Sequence, residues 1–535
     1  MGVKGEPAQR SSSRGWTAAW WLVLGVVGAL LLIRLGEREF WSDEGVSALL
    51  ARNILKYGLP RVDDGRNVVS FLGPGIDSNA DGLWTWSPWL DPYLMASSFA
   101  VFGETLFAAR LPFVLAGLCC LPVVWQLIYR RTGNQTTAMM GMLALGLSET
   151  FLLHSRQARY YSLAILGQAI LLYGLQDVIE RRARGKWLIA LGGTMQFYCN
   201  YIVSVANVLA LVVIALWHWK QLRLRDLFWA ALISGIAAAP WILYARPWEQ
   251  SSMVGGDISI QKVLAFIREC NFHVLPLMLL LWPLFWARPF RGRRTENDPS
   301  DLLLSSLPVF FPAFIAVLLL APGYYLRYFV PLLPVAAIYL AEGLASAISN
   351  VKLRWAVFAV MVLTNVTAWT TALPFHYGHH LRIELADFID ELAHPYRDRT
   401  SAMIEFFREH AREGETIHTR DPEFPLAFST PLAIYYGPFR SLPPGQMPDW
   451  ILPDTVTSVL RLTPVELTGE IANRYERIGV MVPDSHRGGS LPDPDLREYR
   501  TAPTEKEFVV YRLKRAPEIS ARPGRHRFGH FSPRS

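Results

Sequence analysis

Charged residues are few in this sequence. Asp, Glu, Lys and Arg make up 18% of the 535 residues, whereas soluble globular proteins carry about a quarter. Hydrophobic residues reach 51%, and they stand in long blocks, as a lipid bilayer requires. This composition excludes an intrinsically disordered chain and argues against a soluble enzyme. The sequence therefore predicts a polytopic membrane protein.

Cysteine is scarce as well. The chain has 4 cysteines, and none follows Cys270, so we expect the hydrophilic C-terminal region to fold without disulfides. No glycine-rich phosphate loop accompanies the strands predicted there, and we expect no nucleotide cofactor. Most basic residues behind the formal charge of +7 stand in short clusters between apolar blocks. This pattern is typical of membrane topology and not of nucleic-acid binding.

The apolar blocks predict about eleven membrane spans, because a spanning helix needs about 20 mostly apolar residues. The stretch 187–219 has no Asp, Glu, Lys or Arg and has basic clusters on both sides. If both clusters are cytoplasmic, this stretch must cross an even number of times, and a helical hairpin that turns near residues 199–201 meets the condition. The single candidate spans are 15–33, 111–129, 135–152, 160–176, 227–245, 270–287, 302–322, 328–345 and 355–375.

Charge placement also predicts orientation and domains. The N-terminus and the basic loops lie in the cytoplasm, so an odd span count places the C-terminal region outside. We expect a mainly α, multi-pass helix bundle of the plasma (inner) membrane, residues 1–375, with a large first outer loop at 34–110. A small extracytoplasmic α/β domain follows at 376–515. The tail 516–535, rich in Pro, Arg and Ser, is predicted to be disordered.

The pattern of the C-terminal domain predicts a helix and three strands. Residues 400–413 have helical periodicity and end at Gly414, a suitable residue after a helix. Strands are predicted at 415–419, 477–482 and 507–513, where β-branched and aromatic residues concentrate.

Two adjacent acids, Asp43 and Glu44, begin a predicted helix at the membrane edge of the first outer loop. Ser42 can cap this helix. Acids at a helix N-terminus are stabilised by the helix dipole, so capping alone explains the pair. The alternative is a carboxylate base beside the bilayer, which takes a proton from a hydroxyl nucleophile. This segment by itself leaves both interpretations open.

Aromatic residues and prolines concentrate at the end of the same loop. Segment 85–104 has an apolar run too short to span, which is typical of a helix that lies along the membrane surface. Trp84, Trp86 and Trp89 form either an aromatic belt at the membrane interface or the walls of a sugar or lipid head-group site.

Three arginines stand at the predicted outer boundary, namely Arg156, Arg159 and Arg327. Charge at that depth is costly unless it is paired or used. Arg327 also opposes the rule that basic residues stay in the cytoplasm. This favours an anionic partner for Arg327, a lipid-linked phosphate, over snorkelling to lipid head groups.

The order of several segments resembles the GT-C glycosyltransferases of the protein O-mannosyltransferase and aminoarabinose transferase type (glycosyltransferase family 39-like). That family has an acid followed by a helix in its first loop, then a Pro-aromatic juxtamembrane segment that ends in Phe-Gly. It also has characteristic openings of the second and fourth spans and a late Arg-Tyr-Pro stretch. The matching segments here are 41–60, 87–103, 109–118, 155–167 and 326–344. Together they cover roughly residues 15–375, in the family's order.

The resemblance implies an inverting transfer of a sugar from a polyprenyl-phosphate donor to an acceptor hydroxyl on the extracytoplasmic side. The acceptor would be a lipid, a polysaccharide or a protein, and no nucleic-acid partner is expected. Asp43 matches the catalytic position and would deprotonate the acceptor, Glu44 would support it, and Arg327 would bind the lipid phosphate. The other residues assigned to substrate binding are Tyr328, Arg156, Arg159, Pro88, Tyr93 and Trp89.

This chain departs from the family pattern at two places. Trp86, Ser87 and Pro88 stand where His-Pro-Pro or Lys-Pro-Pro is usual, and Tyr160 and Tyr161 stand where some members have an acid. Both changes bear on substrate identity and metal dependence. A divalent cation near Glu44 is one expectation, but no residue is assigned as a metal ligand. The cluster formed by His376, His379 and His380 is interpreted as an interfacial patch and not as a metal site.

Two other functions fit parts of the pattern. A transporter or flippase of lipid-linked sugars also needs outward-facing arginines, but such proteins usually have internal repeats or matching broken helices, and no clear repeat is present in this sequence. The second is a receptor or assembly factor without catalysis, in which the C-terminal domain does the binding.

Overall fold

Helices dominate the structure, which is a computed structural model. It describes residues 8–70, 76–249, 258–275, 299–321, 325–371, 380–419, 423–435, 445–453, 469–485 and 488–514. Within these ranges, all β-strands of the sheet lie after residue 415. The predicted mainly α fold with a small C-terminal α/β region is therefore confirmed.

The α-helices are numbered in chain order. The first ten are α1 (Ala8–Leu32), α2 (Ser42–Tyr57), α3 (Leu90–Phe102), α4 (Leu106–Thr132), α5 (Gln135–Gly146), α6 (Glu149–Ser155), α7 (Tyr161–Ile179), α8 (Gly185–Cys199), α9 (Tyr201–Trp217) and α10 (Leu224–Ala245). The others are α11 (Ile260–His273), α12 (Pro299–Ser306), α13 (Phe310–Leu318), α14 (Leu333–Ala347), α15 (Val351–Leu363), α16 (Val366–Thr371), α17 (Glu384–Ala393), α18 (Arg399–His410), α19 (Glu423–Ser429) and α20 (Gly469–Arg474). Short 3-10 helices lie at Pro247–Glu249, Leu307–Val309, Leu326–Tyr328 and Val330–Leu332.

Several of these helices can cross a membrane. Among the described residues, 4 helical segments are long and apolar enough, namely α4, α7, α10 and Val330–Ala347. The number is 5 if α5 and α6, which are bent by 58°, form one span. Shorter apolar helices lie at Trp16–Leu32, Tyr201–Trp217 and Leu302–Leu318. The chain is thus a multi-pass membrane protein, and the total of about eleven spans stays a prediction.

The structure refines two of the predicted spanning regions. In 187–219, a break falls where the turn was expected, because Asn200 is extended and its side chain caps α9. In 355–375, the helix is interrupted at Asn365, whose amide donates to the His380 carbonyl at 2.7 Å. Most of the predicted span 270–287 lies outside the described residues, as do His376 and His379.

Glycines allow α7 and α8 to pack closely against each other. A Cβ added at Gly192 would lie 2.5 Å from the Gly167 carbonyl oxygen and 2.8 Å from the Leu171 nitrogen. Both are backbone atoms that cannot move aside. Small residues at helix contacts permit this close approach in membranes. The packing keeps the start of α7 in a defined position.

The first outer loop leaves the bundle between α1 and α4. It contains α2 and α3, as predicted, and the chain between them is pinned by isolated bridges. These bridges pair Arg61 with Leu83, Asp63 with Val68 and Ser78 with Trp84. The loop is therefore a folded layer above the bundle.

The C-terminal region is built around a five-stranded sheet. Its strands are β1 (Thr416–His418), β2 (Ala433–Tyr435), β3 (Trp450–Ile451), β4 (Tyr475–Pro483) and β5 (Glu505–Leu513). The strand order is β2-β1-β3-β5-β4, with β1 parallel to β2 and β3, and β5 antiparallel to β3 and β4. The strands predicted at 415–419, 477–482 and 507–513 are confirmed, and the predicted helix 400–413 is α18.

The boundaries at 375 and 515 stay predictions, and the tail 516–535 lies outside the described residues.

This domain packs directly on the first outer loop. Glu391 on α17 is ion-paired with Arg38 at 2.9 Å and with Arg497 at 2.6 Å. Burial would raise the pKa of Glu391, but the two guanidinium groups outweigh it and lower the pKa to about 2. Gly45 on α2 lies against Phe424, since a Cβ at Gly45 would be 2.8 Å from the Phe424 Cβ. The loop and the domain thus form one interface at the site described next.

The close contact of α7 and α8 predicts opposite effects of two Gly→Ala changes. Gly192→Ala should lower the thermal unfolding temperature, because overpacking against immovable backbone costs about 1–3 kcal/mol. Gly235→Ala on α10 is the control, since no atom lies within 4 Å of its added Cβ and alanine favours a helix over glycine. Thermal unfolding of the detergent-purified proteins measures both. Equal stability of Gly192→Ala and the unaltered protein would contradict the packing argument.

Candidate active site

The local fold places Asp43 in the first turn of α2. The residue before the helix is Trp41, which makes no side-chain capping hydrogen bond. The expectation that Ser42 caps α2 is therefore wrong, because Ser42 is itself the first helical residue. Asp43 instead turns its carboxylate to a distant arginine. Its Oδ2 accepts a hydrogen bond from Arg327 Nη1 at 2.7 Å, across 284 residues of chain.

Three aromatic rings surround the Arg327 guanidinium beside this carboxylate. Its guanidinium carbon is 4.3 Å from the centre of the Tyr325 ring, 5.6 Å from that of Tyr328 and 5.8 Å from that of Trp41. Burial alone would lower the pKa of Arg327, but the Asp43 carboxylate together with the neighbouring tyrosines outweighs burial, so the pKa is raised above its usual value. Arg327 therefore stays charged in its half-buried position.

A second arginine approaches the same carboxylate. Arg159 Nη2 lies 3.7 Å from Asp43 Oδ2, and its Nη1 donates to Ser47 Oγ at 2.8 Å. Ser47 Oγ in turn donates to Asp91 Oδ2 at 3.2 Å. Two guanidinium groups thus flank one carboxylate.

Asp91 is a site residue that the sequence did not single out. It is only 3% exposed on α3, and burial raises its pKa. Its only sequence signal is an acid inside an otherwise apolar interfacial segment. Such a residue needs a partner when it is buried, and the hydrogen bond from Ser47 supplies one.

Glu44 lies next to Asp43 but faces a closed network. Its side chain is fully buried, and Arg110 donates to both of its oxygens, from Nε and Nη2, at 2.9 Å each. The Ala158 nitrogen donates to Glu44 Oε1 at 2.7 Å, and Ser490 Oγ donates to Oε2. The remaining donors of Arg110 go to the Leu35 and Arg38 carbonyls and to Ser490 Oγ. The arrangement gives Glu44 a positioning role.

The same network reaches Trp41 through the C-terminal domain. Trp41 Nε1 donates to Gln157 Oε1 at 2.6 Å, and Gln157 Nε2 donates to the Ser490 carbonyl at 2.7 Å. The residue before Ser490 is Gly489, which has a φ of 71°. Glycine adopts this backbone conformation without strain, and the turn brings the Ser490 carbonyl to Gln157. The loop around Ser490 therefore supports the residues on both sides of Asp43.

The other predicted site residues divide into two groups. Arg159 and Arg327 lie at Asp43, and the Tyr328 ring lies beside the Arg327 guanidinium. Arg156 lies elsewhere, because its Nη1 donates to the Leu30, Leu31 and Ile33 carbonyls at the end of α1. These hydrogen bonds satisfy the free carbonyls at the C-terminal end of α1, and they explain why the Arg156 guanidinium is buried without invoking a substrate.

The aromatic group of the first loop is largely engaged within the protein. Trp89 Nε1 donates to the Trp84 carbonyl at 2.6 Å, and its ring meets that of Trp241 at 4.9 Å. Tyr93 Oη donates to the Gly58 carbonyl at 2.9 Å. Pro88 is buried at the start of the segment. Their substrate-binding roles stay predictions.

The expected cation near Glu44 does not fit the donor set, because both oxygens of Glu44 already accept hydrogen bonds from Arg110 and its neighbours. Elsewhere, Glu269, His273 and Asp495 place their ligand atoms within 4.8 Å of one another. A protonated His273, with Nε2 at 3.1 Å from Asp495, also explains this group as an ion pair. The divalent cation stays a prediction.

Similar proteins share the fold. Residues 87–244 match the family model for dolichyl-phosphate-mannose-protein mannosyltransferases, and no curated protein has a matching sequence. The structure of ArnT from Cupriavidus metallidurans bound to undecaprenyl phosphate is similar with a TM-score of 0.53 and 13% identity, over 79% of this chain and 86% of ArnT. Its apo state gives a TM-score of 0.53 at 14% identity, over the same shares of both chains.

A third structure, the apo oligosaccharyltransferase of Archaeoglobus fulgidus, is similar with a TM-score of 0.50 and 12% identity, over 79% of this chain and 64% of that chain. All of these structures have the GT-C fold. The chain therefore has the GT-C fold, as the sequence resemblance implied.

The closed network around Glu44 predicts a large loss of stability in Glu44→Gln. The amide adds two donors that face Arg110, and the buried guanidinium loses its counter-charge, which typically costs about 3–5 kcal/mol. Thermal unfolding of the detergent-purified protein measures the loss. Glu507→Gln is the matched control, since Glu507 also forms a bidentate pair, with Arg477 at 2.9 and 3.0 Å, but at the surface. If the two variants unfolded at the same temperature, the network would not carry the stability assigned to it.

Proposed function

We propose that this chain is a membrane glycosyltransferase that moves a sugar from a polyprenyl-phosphate donor to an acceptor hydroxyl on the extracytoplasmic side, with inversion. Asp43 acts as the general base, and Arg327 binds the phosphate of the donor. The observation that carries the proposal is the 2.7 Å contact between Asp43 Oδ2 and Arg327 Nη1. A base for the acceptor and a cation for the leaving group thus meet at one place.

The chemistry is a single displacement at the anomeric carbon. The acceptor oxygen forms a bond to this carbon while the bond from the carbon to the phosphate oxygen breaks. The proton of the acceptor hydroxyl passes to Asp43, and the electron pair of the broken bond stays on the phosphate. Because one attack occurs from the side opposite the leaving group, the configuration of the sugar inverts.

Arg327 and Arg159 stabilise the departing phosphate. Negative charge on the leaving group increases as the bond breaks, so fixed guanidinium groups stabilise the transition state more than the bound donor. A polyprenyl phosphate is already activated as a leaving group, so neither a nucleotide cofactor nor a separate nucleotide domain is needed.

The contact between Asp43 and Arg327 also implies an order of events. Without a donor, Asp43 Oδ2 already accepts a charge-assisted hydrogen bond from Arg327, so this oxygen is not available to the acceptor hydroxyl. The donor phosphate competes with Asp43 for Arg327, and once the phosphate is bound, the carboxylate is released to accept a proton. The base therefore becomes available when the donor is in place, which protects the site from unproductive deprotonation.

Different observations support the polyprenyl-phosphate donor and the extracytoplasmic position of the site. The ArnT structure is described as bound to undecaprenyl phosphate, and the family model is named for a dolichyl-phosphate sugar. Both names favour a polyprenyl-phosphate donor. The side rests on the basic clusters between the apolar blocks, which favour cytoplasmic loops and so an outer position for Asp43. The inner membrane and a cytoplasmic N-terminus belong to the same proposal.

Asp43→Asn separates the base from the binding site. We expect sugar transfer to fall by about 10²–10⁴-fold, as for loss of a general base. Binding of undecaprenyl phosphate should become tighter, because Arg327 and Arg159 lose the carboxylate that competes with the phosphate. The measurements are transfer of labelled sugar in proteoliposomes and equilibrium binding of undecaprenyl phosphate in detergent.

The control for Asp43→Asn is Glu104→Gln. Glu104 pairs with Arg52 on α2 at 2.7 Å, the same separation, but at the surface, so both readouts should match those of the unaltered protein. Near-normal transfer by Asp43→Asn would exclude Asp43 as the base. Movement of lipid-linked sugar across vesicles by the unaltered protein, without an acceptor product, would favour the transporter.

Arg327→Ala should weaken the binding of undecaprenyl phosphate. Loss of one charge-assisted hydrogen bond corresponds to about 10- to 100-fold in affinity. Arg477→Ala, which removes an exposed arginine of the C-terminal sheet, is the control and should bind as the unaltered protein does. Unchanged binding by Arg327→Ala would remove Arg327 from the phosphate site.

A further inference from the structure

Tyr161 is a buried residue whose hydroxyl the fold does not use. It is the first residue of α7 and is only 1% exposed. Its Oη makes no hydrogen bond within the part of the chain that the structure describes. Its neighbour Tyr160 differs, because the Tyr160 hydroxyl accepts a hydrogen bond from Asn200 Nδ2 at 2.9 Å. Two adjacent tyrosines are thus buried, and one of the two hydroxyls is satisfied by the protein.

A buried hydroxyl without a partner is unfavourable. Native proteins satisfy most of their buried polar groups, and an exception calls for a specific reason. Phenylalanine would fill the same space at Tyr161 without this cost, since the ring already packs edge-on against His154 at 5.1 Å. The hydroxyl is therefore better explained by a ligand than by packing.

The surroundings of Tyr161 define what that ligand must be. Its ring centre lies 4.8 Å from that of Tyr160, and the Arg159 guanidinium carbon lies 5.5 Å from the centre of the Tyr160 ring. Arg159 in turn lies beside Asp43, so Tyr161 adjoins the candidate active site. Arg159 Nε is also buried and has no hydrogen-bond partner among the described residues. Tyr161 Oη and Arg159 Nε are thus two buried donors without acceptors in the described part of the chain, and Arg327 adds a second guanidinium beside Asp43. The ligand must therefore offer several acceptor oxygens and negative charge. A phosphate group meets both requirements.

We propose that Tyr161 binds the donor, with its hydroxyl donating a hydrogen bond to the phosphate oxygen of the polyprenyl-phosphate sugar, next to Arg159 Nε. This assignment rests on the proposed function and adds a neutral donor to the two cations. Some members of the resembled family have an acid in this region. Tyrosine instead supplies a hydrogen bond to the phosphate and adds no negative charge beside it.

The experiment compares Tyr161→Phe with Tyr160→Phe in the full-length, detergent-purified protein. Each change removes one hydroxyl and keeps the ring. Without ligand, Tyr161→Phe should unfold at the same temperature as the unaltered protein or higher, because no internal hydrogen bond is lost. Tyr160→Phe should unfold at a lower temperature, because it loses the hydrogen bond from Asn200.

The binding readout has the opposite order. Tyr161→Phe should bind undecaprenyl phosphate about 10-fold more weakly, the effect of one hydrogen bond to a charged group, whereas Tyr160→Phe should bind within about 2-fold of the unaltered protein. Undecaprenol, which lacks the phosphate, should bind equally to the unaltered protein and to Tyr161→Phe.

Two results would overturn the assignment without affecting the proposed function. One is equal affinity of Tyr161→Phe and the unaltered protein for undecaprenyl phosphate. The other is a lower unfolding temperature of Tyr161→Phe without ligand, since the hydroxyl would then have a structural partner. If the unaltered protein itself bound undecaprenyl phosphate no better than undecaprenol, the proposed function would fail together with the assignment.

Discussion

The ion pair between Asp43 and Arg327 is the contact on which the rest of the site depends. It joins the first turn of α2 to the 3-10 helix Leu326–Tyr328, across 284 residues. A half-buried charged pair contributes most when the surrounding groups fix its geometry. Tyr325, Tyr328 and Trp41 surround the guanidinium, and the ion pair thereby links the late part of the bundle to the first outer loop.

A second buried pair sets the position of the first. All N–H groups of the Arg110 guanidinium are hydrogen-bonded, to Glu44, Ser490 and two backbone carbonyls. Fully satisfied polar networks of this kind rigidify a structure. Since Glu44 follows Asp43 directly and Ser490 belongs to the C-terminal domain, that domain forms part of the wall that holds the site. A role limited to recognition of distant partners would not require this contact.

Arg159 and Arg327 were singled out in the sequence because charge near a bilayer is costly. Asp43 was singled out because it begins a helix and matches the catalytic position of the resembled family. The structure brings these three side chains together. Arg156 met the same criterion as Arg159 and Arg327, yet it binds the carbonyls at the end of α1. The sequence cannot distinguish an arginine of the site from an arginine that binds backbone carbonyls, because every residue has a backbone carbonyl and composition does not show which of them accepts. Asp91 and Tyr161 were missed as site residues because burial, and not residue type, makes them unusual.

Hydropathy and the order of motifs were enough to establish a multi-pass membrane protein with a small C-terminal α/β region, because long apolar blocks and alternating strands are local patterns. The breaks at Asn200 and Asn365 and the closed network around Glu44 depend on partners far away in the chain. A hydrogen bond between distant residues follows from the packing of whole helices, which no local window contains. The tertiary structure alone therefore decided which carboxylate faces Arg327 and which is held by Arg110.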